Sequence, residues 1–160
     1  MNDSWGWQGY PEINWEDLPT RFRKHYPDLD KILHGKSSSF YRDSFEATIK
    51  EGKSRTLGQA MTDDLQALSP GYYGARGARI MLDHIISRFA PQIRKLAVLD
   101  KTISSRGVTG YVQAVLVPEL AVRLIKTDLC IDEEKARSIM KESVSLGDLL
   151  NSEDDDEIRR

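Results

Sequence analysis

Residues 111–129 read YVQAVLVPELAVRLIKTDL and form the most hydrophobic segment of the chain. Apolar residues such as Val115, Leu120 and Leu124 recur at the three- and four-residue intervals of an α-helix. The stripe they form is wide enough for burial over much of the circumference, which predicts the central helix of the fold. Pro118 lies inside the segment and should kink it, because proline removes one backbone donor and clashes with the preceding turn.

Helical periodicity recurs on both sides of this segment. Further helices are predicted at residues 28–34, 40–51, 57–68, 78–89 and 91–97, and a last one, capped by Asp132, that ends near Gly147. Pro27 is predicted to begin the first of these and Pro91 to divide the fourth from the fifth, with a loop at Thr102–Gly107 and a cap at Thr109. Because no segment longer than five residues shows strand alternation, the predicted class is all-α, with about seven helices in one domain.

The two ends of the chain differ from the middle in composition. Residues 1–19 contain Trp5, Trp7 and Trp15 without helical spacing, which predicts an extended aromatic arm. We expect either at least Trp15 to be buried against the helices or the whole arm to cover a groove. Residues 20–151 form the predicted helical domain. Residues 152–160 contain five consecutive acidic residues and are predicted to be a disordered tail.

Composition excludes several classes of protein. The 160 residues include a single cysteine, Cys130, which excludes an intramolecular disulfide and a cysteine-based zinc finger and favours a reducing compartment. We expect Cys130 to be a small buried residue. The N-terminus lacks the pattern of a signal peptide, and we expect no association with membranes. Three scattered histidines predict no metal site.

The net charge of −2 conceals a basic middle segment. Residues 71–106 contain seven arginines and lysines against two aspartates. Such a segment is able to attract nucleic acid or an acidic partner. The alternative is an ordinary solvated helix face, and the segment lacks the interleaved aromatic residues that favour nucleic-acid binding.

Residues 71–77 read GYYGARG, the most distinctive short string in the chain. Its three glycines open a helix, where backbone N–H groups and Arg76 are able to bind an anion. The string fits neither a dinucleotide-binding fingerprint nor a phosphate-binding loop. The structural alternative is a tight turn in which glycine supplies positive φ, Tyr72 and Tyr73 anchor the turn, and Gly77 allows a close helix crossing. Six residues of this string are candidates for an interaction site or a structural motif: Gly71, Tyr72, Tyr73, Gly74, Arg76 and Gly77.

Glu119 and Arg123 lie four residues apart within the apolar segment, so their side chains meet on one helix face. Charges among apolar neighbours need a partner. We therefore expect Glu119 to pair with Arg123 or with Arg76 inside the fold. The alternative is a catalytic carboxylate or a small-ligand site centred on Arg76 and Glu119, with no partner acid, histidine or metal ligand apparent. No sequence motif of a known catalytic class is present, so we expect no enzyme activity and no cofactor.

Three strings in order resemble the restriction-of-telomere-capping family of fungal proteins. They are residues 71–77, residues 115–125 (VLVPELAVRLI), and a closing pattern with Glu134-Lys135-Ala136-Arg137, Glu142-Ser143 and Gly147. The likeness runs from Pro19-Thr20-Arg21 to Gly147. The family pattern has Asp-Met where this chain has Asp128-Leu129, and the acidic tail is peculiar to this chain.

The resemblance implies a non-catalytic helical interaction module of a fungal protein of nucleus and cytoplasm, linked to telomere capping and excised from a longer chain. A protein partner is then expected. It implies no set of catalytic residues. The alternatives are a nucleic-acid-binding domain that uses residues 71–106 and the Arg76–Glu119 site described above.

Overall fold

A computed structural model of the protein describes residues 10–51, 70–144 and 146–147. In those ranges the chain forms six α-helices and no β-strand, which confirms the all-α class. The helices are α1 (Leu18–Leu33), α2 (Phe40–Glu51), α3 (Gly74–Ala97), α4 (Lys101–Ser104), α5 (Gly107–Leu129) and α6 (Glu133–Glu142). The predicted helix at 57–68 and the predicted tail lie outside the described residues.

Helix α5 is the centre of the fold, as its sequence predicts. It packs against each of the other five described helices. Every residue from Val115 to Val122 is buried, so the helix is covered around its whole circumference there. Its length and composition would also suit a membrane span, but 67% of its most apolar window is buried inside the fold, as in the core helix of a globular protein.

Pro118 lies where α5 changes its winding. The turn Val112–Leu116 is a π-helix, and α-helical winding resumes at Val117. Proline crowds the carbonyl four residues before it, here Ala114, so the wider turn lies where the proline ring needs space. The predicted kink is thus a local π-turn, and Pro118 itself is buried.

The predictions for Pro27 and Pro91 are wrong. Pro27 does not begin a helix; it lies inside α1, which starts at Leu18 and therefore includes the last two residues assigned to the aromatic arm. Pro91 does not separate two helices, because α3 continues through it to Ala97. In each helix, buried apolar residues lie on both sides of the proline, and their burial offsets the lost backbone hydrogen bond.

Several helix ends follow local sequence rules. Gly35, just beyond α1, has φ of +72°, and the Ser39 hydroxyl accepts a hydrogen bond from the Arg42 N–H at the start of α2. Asp132 caps α6 by accepting from the Lys135 N–H at 2.8 Å.

Other boundaries differ from prediction. The predicted loop at Thr102–Gly107 contains most of α4, which Asp100 caps through the Thr102 N–H. Thr109 is not a cap, since α5 already begins at Gly107. Cys130 ends α5 with φ of +54° and is exposed, so the prediction of a buried cysteine is wrong.

Candidate functional site

The glycine string at 71–77 forms a tight turn that leads into α3. Gly71 and Gly74 both have positive φ, +65° and +68°, and residues 71–73 make one 3-10 turn between them. Gly74 also has ψ of −170°, a combination that side chains other than glycine strain to adopt. The turn buries both Tyr72 and Tyr73.

The two tyrosine hydroxyls converge on one carboxylate. Tyr72 and Tyr73 each donate to Asp128 Oδ2 at 2.6 Å. Arg21 of α1 reaches the other oxygen, with Nη2 to Oδ1 at 2.6 Å, and also donates to the Leu124 carbonyl at 3.3 Å. This group, which we call the Asp128 cluster, ties α1 and the 71–77 turn to the C-terminal half of α5. Burial and the negative charge of Asp128 raise the pKa of Tyr72 and of Tyr73, so both remain protonated donors.

The segment before α1 covers the same turn. Tyr10 stacks on Tyr72 with ring centres 5.0 Å apart, and Tyr72 stacks on Tyr73 at 5.1 Å. The guanidinium of Arg76 lies 4.2 Å from the ring centre of Trp15, which is partly buried against the core as expected. Trp5 and Trp7 lie outside the described residues.

A close backbone approach occurs at Gly71, not at Gly77 as predicted. A β-carbon on Gly71 would lie 2.7 Å from Ser143 Oγ and 2.9 Å from Met140 Cα, and one on Gly147 would overlap the Gly71 carbonyl oxygen. Gly77 instead faces the side chain of Tyr73, the last residue of the 3-10 turn before α3. Gly71 and Gly147 begin and end the three strings that resemble the telomere-capping family. Their lack of side chains therefore lets the C-terminal end of the domain lie against the 71–77 turn.

Glu119 is the centre of a second buried polar network, the Glu119 network. The residue is 1% exposed. Its Oε1 accepts from Arg123 Nη1 at 2.8 Å, and its Oε2 accepts from the Ser39 hydroxyl at 2.6 Å and the Tyr41 N–H at 3.3 Å. The predicted pairing with Arg123 is confirmed.

The rest of that network extends to α1 and α2. Arg123 also bonds Asp28 of α1 through Nε at 3.1 Å. Burial, together with the charge of Glu119, raises the pKa of the Tyr41 phenol. Glu119 and Arg123 therefore join α5 to the C-terminal half of α1 and to the start of α2, while Arg76 lies over Trp15.

An open groove of about 180 Å³ lies between α1, α5 and the start of α6. Its charged lining is balanced, with Arg123 and Lys126 facing Asp28 and Glu133. The groove is smaller than a typical small-molecule pocket and includes neither Arg76 nor Glu119. His25 at its edge has a lowered pKa because of burial and the nearby charge of Arg123. Among the described residues no group of three or more His, Cys, Asp or Glu is placed to hold a metal ion.

Sequence reasoning missed Arg21, Asp128 and Ser39. One signal was available for Asp128, which lies four residues after the buried Leu124 and so continues the apolar stripe of α5. A carboxylate on such a stripe indicates a buried pair. Arg21 and Ser39 carry no comparable signal, because each is separated from its partner by 80 residues or more.

Comparison with known proteins identifies the family. Residues 34–152 match the RTC4-like domain. The proteins called "Restriction of telomere capping protein 4" from Lachancea thermotolerans and Kluyveromyces lactis are each 27% identical, over 84% and 88% of this chain. The protein of the same name from Eremothecium gossypii is 23% identical over 91% of this chain. This chain spans 36–38% of the length of these relatives, and no solved structure matches it. Because the matched region covers most of the chain, the protein belongs to the RTC4-like domain family.

Proposed function

We propose that this chain is a non-catalytic helical interaction domain of a nuclear protein whose role is related to telomere capping. Its expected partner is another protein. The relatives from three yeasts carry telomere capping in their names, and the matched region is about a third of each. In each relative the matched region is part of a longer chain, an arrangement that suits a docking domain.

The observation that supports the proposal is that both carboxylates on α5 bind donors within the fold. Glu119 receives hydrogen bonds or an ion pair from Arg123, Ser39 and the Tyr41 backbone. Asp128 receives them from Arg21, Tyr72 and Tyr73. A carboxylate surrounded in this way holds helices together, because its lone pairs are already used by donors of the fold.

The distribution of basic residues gives less support to nucleic-acid binding. Arg79 and Arg88 are nine residues apart, so they lie about 180° apart around α3. Arg79 pairs with Asp83 at 3.9 Å, and Arg88 lies 4.9 Å from the Phe89 ring centre. Arg76, Arg79 and Arg94 do share one face of α3, but Asp83 lies on that face and pairs with Arg79, so the face is not the continuous basic stripe that follows a phosphate backbone.

The experiment compares two forms of the full-length protein, one intact and one lacking residues 34–152. Each is purified from cells after nuclease treatment, and co-purifying proteins are quantified. We expect the intact form alone to retain partners that reside at chromosome ends. Each such partner is then titrated into the 160-residue chain by calorimetry, and direct binding is expected.

Three results would contradict the proposal. Equal recovery of every partner without residues 34–152 would remove the interaction role, and loss of recovery through nuclease treatment would favour nucleic-acid binding. A Glu119→Gln variant with normal melting and normal partner binding that nevertheless abolishes function in cells would favour the catalytic alternative.

A further inference from the structure

The turn between α3 and α4 exposes aliphatic side chains among cations. Val98 is 83% exposed and Leu99 is 88% exposed. Arg94, Lys95 and Lys101 around them are exposed as well. We call these five residues the Val98 corner. Isolated exposed apolar residues are common, but two adjacent ones at the tip of a basic turn form a small patch of mixed character.

The backbone that presents this patch is fixed. The N–H groups of Leu99 and Asp100 both donate to the Leu96 carbonyl, at 3.0 and 2.8 Å. Asp100 caps α4 through the Thr102 N–H at 3.0 Å and pairs with Arg42 Nη2 of α2 at 2.6 Å. The side chains of Val98 and Leu99 therefore project from a rigid turn. A ligand that binds there loses its own conformational freedom but does not need to order the turn as well.

Asp100 is the only acidic residue between Arg94 and Lys101, and it pairs with Arg42, which also pairs with Glu46 at 3.2 Å. Three exposed cations therefore flank two exposed aliphatic side chains along the chain, and the complementary ligand is acidic with an aliphatic or aromatic residue in its middle. Duplex nucleic acid offers the charge without the apolar contact, so the corner suits a peptide better.

The acidic run of this chain, residues 153–157, differs in sequence from such a ligand. Its one apolar neighbour, Ile158, stands after the acidic residues and is followed by Arg159 and Arg160.

We propose that the Val98 corner is the docking surface for an acidic segment of a partner protein that inserts an aliphatic or aromatic side chain against Val98 and Leu99. This inference rests on the proposed interaction function and names the surface that performs it. Steering by the three cations would make association faster at low salt, and the apolar contact would set the lifetime of the complex.

The test replaces Leu99 in the full-length protein with a photo-crosslinking phenylalanine analogue and maps the attached peptide by mass spectrometry. The same analogue at Lys24, an exposed position on α1, is the matched control. We expect crosslinks from position 99 to an acidic peptide with a central apolar residue, and none to that peptide from position 24.

A synthetic copy of the crosslinked peptide is then titrated into the chain. Leu99→Ser should weaken its binding about tenfold, since one buried leucine side chain is lost. Arg94→Glu with Lys95→Glu should abolish binding, while the matched exchange Arg23→Glu with Lys24→Glu on α1 should leave it unchanged. All variants should melt normally, because the substituted side chains are exposed.

The inference is overturned if the crosslinks from position 99 lead to this chain, within one molecule or in a second copy, to nucleic acid or to lipid, or if no crosslink forms. It is also overturned if the partner binds the corner variants as tightly as the intact chain. In those cases the proposed interaction function still stands whenever deletion of residues 34–152 removes the partner, so the two failures are distinguishable.

Discussion

Replacing Glu119 with alanine tests the Glu119 network most directly. The substitution leaves Arg123, whose side chain is 17% exposed, with Asp28 as its remaining acidic partner. It also leaves the Ser39 hydroxyl and the Tyr41 N–H without their acceptor. Removing one member of a buried ion pair costs about 3–5 kcal/mol, because the remaining charge loses its buried partner. We expect Glu119→Ala to lower the free energy of unfolding by about that amount.

Urea unfolding followed by circular dichroism measures this loss. With a slope of about 2 kcal/mol per molar urea, the midpoint should fall by about 2 M. The matched control is Asp28→Ala, which removes the other partner of Arg123. Because the Asp28 side chain is 51% exposed, its loss should cost less than about 1 kcal/mol. If Glu119→Ala costs no more than Asp28→Ala, the network does not stabilise the fold and the reasoning is wrong.

Further expectations concern the turn at 71–77 and its partners. Asp128→Asn should lower the free energy of unfolding by about 2–3 kcal/mol in urea melts, since an ion pair and two short hydrogen bonds lose their charged acceptor. Gly74→Val should cost more than about 1 kcal/mol, because φ of +68° strains a β-branched residue; an unchanged melting temperature would contradict this. Arg76→Ala should lower stability by about 0.5–1 kcal/mol and increase acrylamide quenching of Trp15 in a variant whose other two tryptophans are phenylalanine. Burial raises the pKa values of five tyrosines, so the folded chain keeps their protons above about pH 10, where the unfolded chain releases them. The free energy of unfolding should therefore fall as pH rises above about 10. Tyrosinate absorbance should appear together with unfolding.

The local sequence pattern was sufficient to predict the helices whose apolar face is continuous. In the central segment, residues 111–129, the spacing of the apolar residues predicts burial. The Glu119–Arg123 ion pair follows from the four-residue separation of the two side chains on a helix. The rules for Pro27 and Pro91 failed because they describe an isolated helix. In the folded chain, packing on both sides of each proline outweighs one lost hydrogen bond.

The partners that complete each polar cluster were beyond prediction from one sequence. Ser39 meets Glu119 across 80 residues, and Arg21 meets Asp128 across 107. Such contacts depend on the relative orientation of whole helices. The tyrosines of the 71–77 turn were predicted to be anchors, and the structure adds what they bind, the carboxylate of Asp128.

The two ends of the described chain meet at one turn. Tyr10 stacks on Tyr72, and Gly147 lies against the carbonyl of the preceding residue, Gly71. A short linker could therefore join the ends without disturbing any helix, and a circular permutant opened at the exposed turn after α1, near Gly35, should still fold. In evolutionary terms, the same closeness makes this domain a unit that can be inserted into a loop of another protein without separating the two halves of its host.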